Sequence, residues 1–138
     1  MEPLVAWPAL LDVGRWWPAD DSWWGQSSNL TIEPVAGGCF CEIDGDRQAR
    51  HMSVGFVEPG KLPRMQGGLG PLQGMGLDGV LEFRLMAEDG GTRITLWYRA
   101  GGHAPNALSK LASVVDRAQA AQLLGLAEYL RDRDARTP

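Results

Sequence analysis

The sequence predicts a single α+β domain in which a curved antiparallel sheet wraps around one long C-terminal helix. Two patterns carry this prediction. Residues 29–101 alternate between apolar and polar side chains and are interrupted by turn sequences, which is typical of strands joined by hairpins. Residues 105–133 instead place leucine and valine at helical spacings. The 138 residues are within the usual size of one domain, so we treat 1–138 as one unit.

The N-terminal segment, residues 3–28, combines a short helix with a tryptophan-rich loop. In PLVAWPALLD (3–12) the apolar side chains share one helical face, although Pro8 is unfavourable inside a helix. WWPADDSWW (16–24) follows and contains four of the six tryptophans. Such a cluster can stack on a sugar or a base, lie in a membrane interface, or line an apolar cavity.

Six strands are predicted between residues 29 and 101. They are NLTIE (29–33), CFCEI (39–43), RQARHMSVGFV (47–57), the weaker KLPRMQGGL (61–69), GLDGVLEFRLMA (76–87) and TRITLWYRAG (92–101). DGD (44–46) and EDGG (88–91) are hairpin turn sequences. Consecutive hairpins produce an antiparallel meander, and the C-terminal helix is the only large element that can cover its apolar face.

Charge and composition argue against several classes of function. The net charge of −4 disfavours nucleic-acid binding, which needs Lys and Arg to neutralise phosphates. No apolar run is long enough to span a bilayer, and no signal-peptide pattern is present, so we expect a cytoplasmic protein. GGLGPLQGMG (67–76) lacks the GxxxxGK[ST] pattern of a phosphate-binding loop, so we expect neither a nucleotide nor another cofactor.

The two cysteines, Cys39 and Cys41, are predicted to lie on one face of a strand. Residues two apart in a strand are separated by roughly 7 Å, which is too far for an unstrained disulfide. Together with His51 they match no strong zinc-site spacing. We therefore expect two reduced, buried thiols and no metal site.

The order of elements resembles the START-like, or SRPBCC, superfamily, whose helix-grip fold is shared by Bet v 1-type allergens, polyketide cyclases and homologues of the heat-shock-protein ATPase activator. The resemblance covers nearly the whole chain and rests on WPALLDVGRWWP (7–18), AGGCFCE (36–42), HMSVGFVEPGK (51–61), GGLGPLQGMGLDG (67–79), GGTRITLWYRAGG (90–102) and VVDRAQAAQLLGL (114–126).

One feature departs from the family pattern. Members usually have a strand before the first helix, and this sequence begins where that strand would end. Either the natural chain starts upstream of this sequence or the strand is absent, and its absence would expose sheet edges along 29–33 and 92–100. Unpaired edges recruit partners, so we expect a homodimer through them.

The helix-grip resemblance implies a cavity between the sheet and the C-terminal helix. We expect this cavity to bind a small, largely apolar molecule, such as a lipid, an aromatic compound or a polyketide-like compound. The expected ligand-lining residues are Trp17, Trp24, Met52, Val54, Phe56, Met65, Leu69, Leu72, Met75, Phe83, Leu96, Tyr98, Leu111 and Val115. Of these, Leu69, Leu72 and Met75 are expected to form the underside of a flexible, glycine-rich lid.

Two alternatives remain open. Glu42 and His51 lie on neighbouring strands on either side of the DGD turn. If both face the cavity, they form an acid/base pair that a cyclase or dehydratase could use; otherwise they form a cross-strand ion pair. A protein of the chaperone-activator kind would instead act through its outer surface. The sequence does not decide whether the chain is an enzyme.

Overall fold

The computed structural model describes residues 1–103 and 108–136, which form two α-helices and six strands. The elements are α1 (Pro3–Leu11), β1 (Leu30–Ile32), β2 (Cys39–Asp44), β3 (Arg47–Glu58), β4 (Leu62–Gln66), β5 (Asp78–Glu88), β6 (Gly91–Gly101) and α2 (Leu108–Arg136). Short 3₁₀ turns at 13–15, 19–21 and 27–29 connect α1 to β1, and another at 70–72 follows β4. The predicted first residues of the C-terminal helix, 105–107, lie outside the described residues.

The six strands form one antiparallel sheet in the order β1-β2-β3-β4-β5-β6. The β2–β3 and β5–β6 connections are tight turns in which Gly45 (φ +61°) and Gly90 (φ +77°) adopt the left-handed conformation that such hairpins require. The predicted α+β class is confirmed, with a curved sheet and a long C-terminal helix. The sheet is open, and its two edges, β1 and β6, are the edges that the sequence predicted. The homodimer stays a prediction.

The main core lies where α1 and the following turn cover one half of the inner sheet face. The Trp16 ring meets Phe83 edge-on, with ring centroids 5.7 Å apart, and its indole N–H donates to the Leu10 carbonyl at 3.1 Å. Leu126 brings the C-terminal half of α2 into the same cluster. The N-terminal half of α2 spans the rest of the inner face and packs less tightly, because most of its side chains are exposed or half-buried.

Two bulges in β3 change which side chains face inward. The first inserts His51 between the pairs Phe40↔Met52 and Cys41↔Arg50, and the second inserts Gly55 between Val54↔Met65 and Phe56↔Arg64. Each extra residue shifts the alternation of the strand by one position. The prediction that Phe56 faces the cavity is therefore wrong: it lies on the outer face and is 39% exposed.

The prediction that Cys39 and Cys41 are two reduced thiols is also wrong. The structure joins Cys39 and Cys41 in a disulfide, and their Cα atoms are 5.5 Å apart instead of the roughly 7 Å of a regular strand. The first β3 bulge lies opposite this segment, at the register shift between Phe40 and Cys41. Bulges bend the local strand pairing, which brings the two Cα atoms within the distance that a disulfide needs.

The outer sheet face carries a row of paired charges and aromatic rings. Glu82 is buried there between Arg64 Nε at 2.7 Å and Arg84 Nε at 2.6 Å. The two guanidinium groups also lie over rings, Arg64 at 5.0 Å from Phe56 and Arg84 at 5.0 Å from Trp97. Burial alone raises the pKa of Glu82, but the hydrogen bonds and charges of the two arginines outweigh it, so the pKa is lowered from 4.5.

Replacing Glu82 tests this row. A carboxylate whose pKa is lowered by folding stabilises the protein above its ordinary pKa, and this stabilisation is lost as the pH falls through the folded value. We expect Glu82→Gln to lower the free energy of unfolding by about 1 kcal/mol at pH 7. The difference in the free energy of unfolding between wild type and variant should become smaller below pH 4.5, where Glu82 begins to take up a proton. Urea unfolding at pH 7, 4.5 and 3 measures it, and a gap that is constant at all three values contradicts the prediction.

Gly125 tests the contact between α2 and the tryptophan loop. A Cβ atom at this position would overlap the Trp16 carbonyl oxygen. Glycine to alanine normally stabilises a helix interior by about 1 kcal/mol. Here we expect Gly125→Ala to lower the free energy of unfolding by about 1–2 kcal/mol, because the backbones must move apart. Ala121→Gly, at an exposed position of the same helix, reports the ordinary propensity effect. Stabilisation by Gly125→Ala would show that this contact is not rigid.

Candidate functional site

A cavity of about 320 Å³ lies between the N-terminal half of α2, the tryptophan loop and the inner sheet face. Its walls come from four parts of the chain, and most of the side chains in them are apolar. They are Trp17, Asp20, Asp21, Ser22 and Trp23 from the loop; His51 and Tyr98 from the sheet; Leu69, Gly70, Pro71, Leu72 and Met75 from the glycine-rich segment; and Leu111, Val114, Val115, Ala118, Gln119 and Gln122 from α2.

The four clustered tryptophans have separate positions. Trp16 is buried in the core, and Trp17 forms the cavity wall, where its ring meets Phe40 edge-on at 5.2 Å. Trp23 is 49% exposed and lines the same cavity. Trp24 lies outside it, with the Arg47 guanidinium 5.2 Å from its ring centre. Trp17 therefore lines the cavity as predicted, whereas Trp23 takes the place that was predicted for Trp24.

Glu42 attaches the tryptophan loop to the sheet. Its side chain is fully buried, and its two carboxylate oxygens accept the backbone N–H groups of Trp23 at 3.0 Å and Trp24 at 3.1 Å. His51 Nε2 lies 2.9 Å from Glu42 Oε1 and donates a third hydrogen bond. The two side chains thus meet across β2 and β3, as the sequence suggested. A buried carboxylate with three donors is well compensated for the loss of water.

His51 is the member of this pair that reaches the cavity. It is 4% exposed, and the bulge turns it inward beside Met52. Glu42 lies behind it and does not line the cavity. Because Glu42 is occupied by the loop and by His51, it can orient the imidazole, but it does not contact a molecule in the cavity.

The acidic turn at residues 19–21 gives the cavity its charge. Asp20 and Asp21 both line it, and Asp21 Oδ2 accepts a hydrogen bond from Gln122 Nε2 at 3.2 Å. Burial raises the pKa of Asp21; the Gln122 hydrogen bond opposes this effect, and the charge of Asp20 adds to it. None of the lining residues is Lys or Arg.

Tyr98 contributes a phenol to the wall between the sheet and α2. Burial is the main cause that raises the pKa of Tyr98; the nearby Leu69 backbone opposes this effect without making a hydrogen bond of normal geometry to the hydroxyl, and the charge of Asp78 adds to it. The hydroxyl therefore stays protonated at neutral pH and can donate a hydrogen bond.

Apart from Trp24 and Phe56, which lie elsewhere, the predicted ligand-lining residues divide into two groups. Trp17, Leu69, Leu72, Met75, Tyr98, Leu111 and Val115 line the cavity. Met52, Val54, Met65 and Phe83 are instead buried in the main core, and Leu96 packs against it. Their half of the sheet face is covered by α1 and Trp16, a long-range contact that strand alternation does not reveal.

Several lining residues were missed by the sequence reasoning. These are chiefly the acidic pair Asp20 and Asp21, together with Gln119 and Gln122 of α2. A signal for the glutamines was present, because they interrupt the apolar stripe that continues from Leu111 and Val115 to Leu126.

The glycine-rich segment covers one side of the cavity. Leu72 is buried, and the Gln73 amide donates to the Arg50 carbonyl at 2.9 Å, which ties the segment to β3. A side chain at Gly68 would collide with the Leu77 carbonyl and the Gln73 backbone. The segment is thus folded closely on itself, and its movement as a lid stays a prediction.

The rest of the described chain adds little to the choice of chemistry. Across residues 1–103 and 108–136, no group of three or more His, Cys, Asp or Glu side chains could hold a metal ion. Within the same ranges, no helix is long and apolar enough to cross a membrane.

Glu42→Gln tests whether this carboxylate holds the loop. One amide oxygen replaces two carboxylate oxygens, and the new NH₂ group faces an N–H donor. We expect the free energy of unfolding to fall by about 1–3 kcal/mol, as measured by urea unfolding. Glu33→Gln, at an exposed side chain, is the control and should change it by less than about 0.5 kcal/mol. Equal effects of the two substitutions would show that the buried hydrogen bonds contribute little.

Comparison with known proteins supports the fold. No protein-family model and no curated protein sequence matches the chain significantly. Protein MLL2253 from Mesorhizobium loti has a similar crystal structure, with a TM-score of 0.63 and 18% identity over 95% of this chain and 90% of that one. An uncharacterized protein from Rhizobium leguminosarum gives a TM-score of 0.59 and 16% identity over 95% and 88% of the two chains. At these identities the likeness concerns the fold alone, and the fold is compatible with the helix-grip architecture.

Proposed function

We propose that this protein is a START-like, SRPBCC-type module that binds a small, neutral, largely apolar molecule between its sheet and α2. The observation that carries the proposal is the cavity of about 320 Å³ and its predominantly apolar wall. Ligand sites are typically concave and apolar, with a few polar groups that fix orientation. Here those groups are His51, Tyr98 and the two glutamines.

The size of the cavity limits the ligand. An apolar protein cavity of about 150 Å³ accepts benzene, and this one has about twice that volume. One or two fused rings therefore match this volume, and an adjoining space of about 290 Å³ that shares Leu72, Tyr98 and Leu111 leaves room for a further substituent. The exposed ring of Trp23 adds an aromatic surface beside the same space.

The charge of the wall further limits the ligand. Asp20 and Asp21 would repel a carboxylate or a phosphate, and no lining Lys or Arg offsets them. Burying an anion without a partner is costly, so fatty acids and phosphorylated compounds are disfavoured. A neutral aromatic or polyketide-like molecule meets no such penalty.

His51 supports a second candidate, an enzyme of the cyclase or dehydratase type. The imidazole lines the cavity and is held by Glu42 at 2.9 Å, an arrangement that suits proton transfer to or from a bound molecule. Glu42 would then be a positioning residue. The binding module remains the simpler proposal, because Glu42 already has a structural role in holding the loop.

A chaperone-activator-like role is the third candidate, and it would use the outer sheet face. The Arg64–Glu82–Arg84 cluster makes that face polar, and Trp97 and Phe56 pack against its guanidinium groups. The charges of these side chains are paired with one another and their rings are covered by the arginines, so this face gives less support for a function than the cavity does.

Filling the cavity tests the proposal. Ala118 lines it, and Ala120 lies on the exposed face of the same helix. We expect Ala118→Phe to weaken the binding of naphthalene at least tenfold, because the new ring occupies the space of the ligand, whereas Ala120→Phe leaves binding unchanged. Titration followed by tryptophan fluorescence measures the affinity, since Trp17 and Trp23 line the cavity.

Native mass spectrometry of the purified protein completes this test. A co-purifying small molecule that Ala118→Phe excludes supports the binding module. A molecule that is recovered with changed mass favours the enzyme. Equal naphthalene affinity in both variants and in wild type would contradict binding in this cavity.

A further inference from the structure

Three buried side-chain atoms without a hydrogen-bond partner lie in residues that line the cavity. They are the Tyr98 hydroxyl oxygen, Gln119 Nε2 and Gln122 Oε1, and no other such side-chain atoms occur in the described parts of the chain. Folded proteins leave few buried polar groups unpaired, because each loses its bonds to water and gains nothing in return. Their concentration around one cavity suggests a partner that occupies it.

Gln122 is the best fixed of the three. It is 3% exposed, and its Nε2 donates to Asp21, which assigns the orientation of the amide and leaves Oε1 as a free acceptor. Gln119 lies one helical turn earlier on the same face, and its free atom is a donor. The protonated Tyr98 hydroxyl is a second donor. The wall therefore offers one acceptor and two donors.

On the basis of the proposed binding function, we propose that the cavity selects neutral ring compounds that carry a hydrogen-bond donor next to a carbonyl-type acceptor. The donor of the ligand would bind Gln122 Oε1, and its carbonyl would accept from Gln119 Nε2 or from the Tyr98 hydroxyl. An aromatic primary amide and an aromatic hydroxyketone both meet this description. The terminal torsion of glutamine is soft, so the Gln119 amide can turn toward the ligand at low cost, whereas the Gln122 amide is held in place by Asp21.

Four matched probes separate this inference from the function on which it rests. Naphthalene reports occupation of the cavity, 2-acetylnaphthalene adds an acceptor, 2-naphthamide adds a donor and an acceptor, and 2-naphthoate replaces the amide with an anion. We expect 2-naphthamide to bind about tenfold tighter than 2-acetylnaphthalene, which corresponds to the free energy of one added hydrogen bond. The difference in affinity between 2-naphthamide and 2-naphthoate should be larger, because the carboxylate is charged. Isothermal titration of the full chain measures all four affinities.

Variants then assign the preference to residues. Gln122→Leu and Gln119→Leu keep a similar side-chain size, and Tyr98→Phe removes only the hydroxyl. We expect each to reduce the ratio of the 2-naphthamide affinity to the naphthalene affinity about five- to tenfold. Gln48→Leu, at an exposed position of β3, is the control. Thermal unfolding shows whether each variant is folded. If a glutamine variant does not fold, Tyr98→Phe still tests the inference, because it removes only one hydroxyl.

The outcomes are distinct. If naphthalene binds and 2-naphthamide has no advantage, the polar selection is wrong and the apolar binding function stands. If the variants weaken all four probes equally, the three residues are structural and the inference fails. If none of the four probes binds, the proposed function itself fails.

Discussion

The tryptophan loop depends on one buried carboxylate. Glu42 accepts the backbone N–H groups of Trp23 and Trp24 and holds His51 at 2.9 Å, so a single side chain of β2 connects the loop, β3 and the edge of the cavity. Without these bonds the part of the loop that carries Trp23 and Trp24 would lose its attachment to β2, whereas Trp17 is also held by its contact with Phe40. The cost of burying the charge is offset because all three partners are donors.

Much of the fold could be predicted from the sequence because its signals are local. Alternation and the DGD and EDGG turns define the hairpins, and the leucine spacing defines α2. The β3 bulges could not be predicted in this way. A single inserted residue, His51 or Gly55, reverses the facing of everything beyond it, which is why Phe56 was placed on the wrong face and why the approach of Cys39 to Cys41 was missed.

The site was predictable only in part, for a different physical reason. The sequence indicated the lining residues of the glycine-rich segment and of α2, because no other described element packs over their apolar side chains. Met52, Val54, Met65 and Phe83 have the same inward-facing pattern, but α1 and Trp16 fill the space above them. Which half of an apolar sheet face stays open depends on packing between distant segments, and the pattern of one strand carries no information about it.

The position of the glutamines connects the shape of the cavity to its chemistry. A helix that only had to cover the sheet would continue its apolar stripe through positions 119 and 122, as it does at Leu126, where α2 joins the core. Instead α2 places two amides beside the apolar side chains with which it lines the cavity, and Asp21 fixes one of these amides. Buried amide atoms without partners, such as Gln122 Oε1, destabilise an empty cavity, whereas the same atoms would stabilise a complex with a matching ligand. Under the proposed binding function, the stability given up in the free protein would become selectivity in the complex, and this trade-off gives a physical reason for amides at positions where a core would carry apolar side chains.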